Sequence, residues 1–162
     1  METLILFSSK YGATKEVANK ISTHFPQAEV QDIKELGNLD ITRYDSIIIG
    51  SSIYAGVVNK EIKDFISTNQ SELKNKTWAV FFCGLNPKTK DEVVKNNFPG
   101  GELNSAKVIT YLGGLFEAKK ANFFEKTLIS ALTKQKGDVD MRNEEELVEF
   151  VKEFKSQDCS RK

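Results

Sequence analysis

The stretch Leu4-Ile5-Leu6-Phe7-Ser8-Ser9-Lys10-Tyr11-Gly12-Ala13-Thr14 decides the fold. Its first four residues are apolar at every position, as in a parallel strand covered on both faces, and the remainder forms a short polar turn. The turn runs into a segment from Thr14 to Phe25 in which Val17, Ile21 and Phe25 recur every four residues and Ala18 widens the stripe. That is the spacing of an amphipathic helix, and Pro26 ends it. A strand feeding a helix through a turn of hydroxyls and glycine brings backbone N–H groups and the positive helix end to one point. The turn reads either as an anion cradle or as a capped turn that binds nothing. In the first case the Ser9 and Thr14 hydroxyls converge on a phosphate and Gly12 permits close backbone approach.

Working outward, four more runs read as strands: Glu29 to Ile33, Ile47 to Ile49, Trp78 to Cys83 and Val108 to Leu112. The second strand alternates, which assigns it to an edge, whereas the third and fourth are apolar throughout. Helical spacing recurs between and after them. Asn59 stands as N-cap before Lys60 to Asn69, with Ile62, Phe65 and Ile66 on one face, and Thr89 to Asn97 follows the fourth strand. Phe124, Leu128 and Leu132 mark a helix whose basic last turn, Lys134 to Lys136, precedes Gly137. The last helix opens on Glu144, Glu145 and Glu146 and buries Leu147, Val148, Val151 and Phe154. The segment from Ile33 to Tyr44 has no clean period and reads as a loop with one short helix. Five strand and helix alternations predict an α/β fold, a doubly wound parallel sheet with helices on both faces, spanning residues 1–156 as one domain with a polar tail at 157–162.

The 162 residues carry twenty-three basic and twenty-three acidic side chains, so no global field points to nucleic acid or an anionic membrane surface. Any partner is recognised locally. Cys83 and Cys159 lie far apart and form neither a disulfide framework nor a metal-ligand spacing, and His24 is the lone histidine. The two thiols are expected free, and the compartment cytoplasmic. Met1-Glu2-Thr3 leads straight into the first strand, and no apolar run reaches transmembrane length, so neither a signal peptide nor an integral membrane segment is expected.

In such sheets ligands bind beyond the carboxyl ends of the strands, where the strand order reverses. The third strand runs into Gly50-Ser51-Ser52-Ile53-Tyr54-Ala55-Gly56, a flexible polar loop whose Tyr54 either stacks on a planar ligand or packs over the sheet edge. The fourth runs into Cys83-Gly84-Leu85-Asn86-Pro87, where Gly84 and Asn86 can present backbone and amide groups to a heterocycle and Cys83 reads as a packed small hydrophobe. No G-x-x-x-x-G-K-[ST] and no three-glycine dinucleotide fingerprint is present. The first strand lacks the acidic pair of a phospho-acceptor domain, and its loop lacks the cysteine of a thiol phosphatase.

Together the segment Ser9 to Thr14 and the segment Tyr44 to Gly56 resemble the flavodoxin-domain family, in particular the branch that includes the menaquinone-dependent protoporphyrinogen oxidases. The resemblance covers essentially the whole chain. It implies a five-stranded sheet of order 2-1-3-4-5 that binds FMN. By the same resemblance, Ser9, Lys10, Tyr11, Gly12, Ala13 and Thr14 hold the phosphate, Ser52, Ile53, Tyr54, Ala55 and Gly56 flank the isoalloxazine, and Gly84, Leu85 and Asn86 meet its other side. It further implies an oxidoreductase that exchanges electrons with a redox partner protein, a quinone or a small-molecule substrate. The flavin carries the redox chemistry, and no catalytic acid or base stands out. A one-electron carrier and a flavin-free binding domain are the alternative readings. Zero net charge speaks against the carrier, because an acidic surface steers such proteins to basic partners.

Overall fold

The computed structural model describes residues 2–37 and 39–156. Five parallel strands form the sheet: β1 (Thr3–Ser8), β2 (Ala28–Asp32), β3 (Ser46–Tyr54), β5 (Thr77–Cys83) and β6 (Val108–Tyr111), in the order β2-β1-β3-β5-β6. This is the expected 2-1-3-4-5 arrangement. The two-residue strand β4 (Val57–Val58) adds an antiparallel partner to the far end of β3.

Strand alternation explains why the central runs are apolar throughout. Leu4, Leu6, Ile47, Ile49, Val80 and Phe82 face one core, and Ile5, Phe7, Ile48, Ala79 and Phe81 face the other. The first core is covered by α2 (Lys60–Thr68), α3 (Gln70–Leu73) and α4 (Lys90–Asn97), through Ile62, Ile66, Leu73 and Val93. The second is covered by α1 (Ala13–Ser22) and α6 (Glu144–Ser156). Strand β2 is half-exposed along its length, as its alternation predicts for an edge. Asn59 caps α2 as expected, its Oδ1 accepting from the Ile62 N–H at 3.2 Å.

Several expectations need correcting. The buried stripe of α6 is Leu147, Phe150, Val151 and Phe154, while Val148 is exposed. Phe150 reaches the Phe81 ring edge-on at 6.1 Å and stacks on Phe154, and a larger side chain on that face displaces Val148 from the stripe. The segment after Ile33 holds two short 3-10 turns, Ile33–Glu35 and Ile41–Arg43, where one helix was expected. Asp32 and Asp40 each accept from the backbone N–H two residues on, and each starts its own turn. The residues Gly50 to Tyr54, expected as a flexible loop, are the second half of β3. Ala55 and Gly56 both adopt positive φ, which is the mirror-image turn that closes a two-residue hairpin onto β4. Asn97 of α4 braces that hairpin from outside, accepting from Val58 N–H and donating to the Gly56 carbonyl.

After β6 the chain leaves the sheet and builds a small annex. It contains β7 (Leu115–Phe116), α5 (Phe123–Thr133) and β8 (Val139–Asp140), with β7 and β8 antiparallel. Its own core is Phe116, Ala121, Ile129 and Val139. Helix α5 lies where its spacing predicted, but it buries Glu125 and Ile129, whereas Phe124 and Leu132 are exposed and Leu128 is half-buried. Lys134 ends the helix in the left-handed region, three residues before Gly137, its N–H bonding to the Ser130 carbonyl. The tail residues 157–162, Cys159 among them, lie outside the described residues, and so does the expectation for its thiol. Among the described residues no helix is long and apolar enough to cross a membrane, and no cluster of side chains suits a metal ion.

Candidate functional site

The carboxyl ends of β1, β3 and β5 open into one cleft of about 960 Å³, near the upper end of the range for small-molecule sites. Of the fourteen residues singled out from sequence, all but Gly12 line it: Ser9, Lys10, Tyr11, Ala13 and Thr14 from the first loop, Ser52 to Gly56 from the hairpin, and Gly84 to Asn86 after β5. Gly12 instead sets the geometry of the first loop. At φ +98° it takes the left-handed conformation that starts α1, and its N–H donates to Ser9 Oγ at 3.0 Å.

The polar groups of the first loop are left waiting. Helix α1 begins without any side-chain cap, so the N–H groups of its first turn keep their partial positive charge toward the cleft end of β1. The Thr14 hydroxyl is buried and makes no well-formed hydrogen bond, its polar neighbour being the Cys83 thiol, while the buried Tyr11 hydroxyl lies beside Lys10 and Glu125. A buried hydroxyl without a well-formed hydrogen bond costs about 1–3 kcal/mol, a cost that an anion accepting from it would remove.

A residue that sequence reading missed completes this corner. Glu125, buried on α5, accepts from Lys10 Nζ at 2.6 Å across 115 residues of chain. The same carboxylate closes a capping box with Asn122, its other oxygen accepting from the Asn122 N–H at 3.1 Å while Asn122 Oδ1 accepts from the Glu125 N–H. Asn122-x-x-Glu125 is visible as a capping signature, yet nothing in it announces the distant lysine. Lys10 Nζ also sits 3.6 Å from the centre of the Tyr54 ring, a cation–π contact that ties the first loop to the hairpin. Tyr54 is half-buried. It forms part of the cleft wall with one neighbour fixed.

These contacts set the charge states. The Lys10 ammonium holds the Glu125 carboxyl at about 2. Burial opposes the charge on Lys10, but the Glu125 carboxylate and the Tyr11 hydroxyl together outweigh it and the ammonium titrates above its ordinary value. Burial pushes the Cys83 thiol up to about 12, and the residue is a packed apolar side chain rather than a nucleophile. Burial likewise raises Tyr111, whose hydroxyl lies beside the Asn86 backbone, to about 12.

A pH-dependent result is expected for the tie. A carboxyl depressed from 4.5 to about 2 contributes stability that is fully present above the unfolded value and is lost as pH falls toward 2. Because Lys10 is 41% exposed, solvent screening keeps the contribution near 1 kcal/mol at neutral pH. Glu125→Gln should therefore unfold earlier in urea than the parent protein at pH 7, and the gap should close as the pH approaches 2. A gap independent of pH would show that the loss comes from packing or from the cap alone.

The geometry agrees with the comparisons. A family model described as a flavodoxin domain matches residues 4–143. The protoporphyrinogen IX dehydrogenase [quinone] of Escherichia coli is 28% identical over 89 residues, covering 52% of this chain and 49% of that protein. The protein of the same name from Leishmania major is 25% identical over 145 residues, covering 83% of this chain and 63% of its own length. The match thus spans about half to two thirds of these curated relatives. Among solved structures, oxidised flavodoxin 1 from Bacillus cereus superposes with a TM-score of 0.61 at 20% identity, covering 96% of this chain and 98% of that one. A short-chain flavodoxin associated with a bacterial microcompartment gives 0.55 at 19% identity, over 81% and 99%.

Proposed function

The chain belongs to the flavodoxin-domain family, and from that premise we propose that it binds FMN and acts as an oxidoreductase exchanging electrons in pairs with a quinone or another small organic substrate. One observation carries the cofactor reading. The buried Thr14 hydroxyl, without a well-formed hydrogen bond, stands at the first turn of an uncapped helix, on the wall of the cleft where three strand ends meet. These donors fit a phosphate. Ser9 to Thr14 would hold that group, Ser52 to Gly56 and Gly84 to Asn86 would flank the ring system, and bound FMN would supply the redox chemistry.

The chain's own residues would do the rest. Tyr54, Leu85 and Ile53 supply apolar surface against a planar ring, and the β3–β4 hairpin braced by Asn97 keeps that wall in place. The lining includes Lys10, Lys63 and Lys88 against the single carboxylate of Glu92. Glu125 neutralises Lys10, leaving a small positive balance rather than the acidic surround of a carrier. An electron pair arriving with negative charge is favoured in such a site.

The absorption spectrum of the purified protein tests the cofactor, and an anaerobic reductive titration tests the pairing of electrons. We expect a flavin spectrum and reduction in one two-electron step. Two well-separated one-electron steps, the second at very negative potential, would move the protein to the carrier class. No flavin retained and none taken up would defeat the cofactor reading.

A further inference from the structure

We propose that the exposed face of α5 around Phe123 and Phe124 docks on an anionic lipid bilayer. The two rings are adjacent at the start of the helix and are 85% and 73% exposed, the most exposed of the large apolar side chains among the described residues. They belong to no core: the annex is closed by Phe116, Ala121, Ile129 and Val139 on the opposite side of the helix. Two neighbouring aromatic rings standing out on a convex turn match the shallow interfacial zone of a bilayer better than a protein groove.

Charge selects the kind of bilayer. Although the chain is neutral overall, the segment from 117 to 138 carries Lys119, Lys120, Lys126, Lys134 and Lys136, all exposed. Five lysines against three acids leave the segment a net charge of +2. Glu125 is turned inward to Lys10, Glu117 pairs with Lys120, and Asp138 accepts the Ala118 N–H. The rings are thus flanked by cations whose long stems can lie along the headgroups, the arrangement that anionic lipids attract. This local patch escapes the whole-chain charge argument against a membrane surface.

The docked face is continuous with the cleft. Phe124, Leu128 and Leu132 follow one another at four-residue spacing, and the last two line the cleft wall. A bilayer under Phe124 would therefore meet the cleft mouth, and an apolar substrate could pass between them along one stripe of the helix.

Co-sedimentation with vesicles tests the proposal whether or not flavin is bound, so its outcome is separable from that of the cofactor reading. The probes are vesicles of phosphatidylcholine alone and vesicles with about one third phosphatidylglycerol. We expect binding to the anionic vesicles only, weakening as salt is raised. The double variant Phe123→Ser, Phe124→Ser should abolish it. The triple variant Lys119→Gln, Lys120→Gln, Lys126→Gln should weaken it roughly a hundredfold. Both sets of side chains lie outside every core, so circular dichroism should remain that of the parent. Failure to bind anionic vesicles, or equal binding by the Phe variant, would overturn the proposal. So would a dimer dependent on Phe123 and Phe124 without vesicle binding, which would give the face to a second copy of the chain.

Discussion

Riboflavin is expected to bind at least about a hundredfold more weakly than FMN. The two ligands share the ring system, so the difference isolates the phosphate, which carries close to two negative charges at neutral pH. It would be received by the first-turn N–H groups of α1, which have no side-chain cap, and by the Thr14 hydroxyl, which makes no well-formed hydrogen bond in the protein. Two such charge-assisted bonds at about 1.5–3 kcal/mol each give about 3–6 kcal/mol, or two to four orders of magnitude in affinity. Thr14→Val keeps the shape and removes the hydroxyl. It should cost FMN about 1–3 kcal/mol by calorimetric titration and leave riboflavin unchanged, while the apoprotein becomes no less stable because a buried hydroxyl lacking a well-formed hydrogen bond has gone. Equal affinity for the two flavins would sink the assignment of Ser9 to Thr14.

Gly113→Ala is expected to destabilise the protein by about 2–5 kcal/mol, the sum of backbone strain and steric overlap. Gly113 adopts φ +74°, and a methyl group there would stand 1.8 Å from the Met141 carbonyl oxygen, an atom of backbone that cannot swing aside. The site is crowded because three segments cross it. The Gly113 carbonyl accepts from the Gly84 N–H, and the Met141 N–H donates to the neighbouring Gly114 carbonyl. Gly137→Ala is the control, since Gly137 has φ +97° but nothing within 4 Å of a methyl group. It should cost only the strain, about 1 kcal/mol. Urea unfolding of both variants separates the two effects, and equal losses would refute the role of the Met141 contact.

The sheet was legible because its residues state their own surroundings. Leu4 to Phe7, Ile47 to Ile49 and Trp78 to Cys83 are apolar on both sides of the strand, which only a strand covered on both faces tolerates. The cleft followed from topology, since loops at adjoining strand ends must share a space. What failed is equally physical. Periodicity reports that a helix has an apolar face, not what lies against it, and so Phe124, Leu128 and Leu132 marked the helix without showing that they run along a cleft and a surface. The pairs Val57–Val58, Leu115–Phe116 and Val139–Asp140 are too short to carry any period, and so the hairpin and the annex sheet were invisible. Glu125 was missed because its role is defined by Lys10, a residue with no local relation to it.

The Lys10–Glu125 tie also orders events in time. A chain emerging from the ribosome exposes β1, α1 and the first loop early, and can pair β1 with β2 and β3, and β3 with β5, well before Asn122 appears. Lys10 then has the Tyr11 and Tyr54 rings to hold it. Closing a contact over 115 residues is slow compared with forming local turns, so the annex docks after these strands have paired. A nascent chain stalled before Asn122 would possess most of its sheet and an unfinished cleft, whose wall is completed only once α5 has been made.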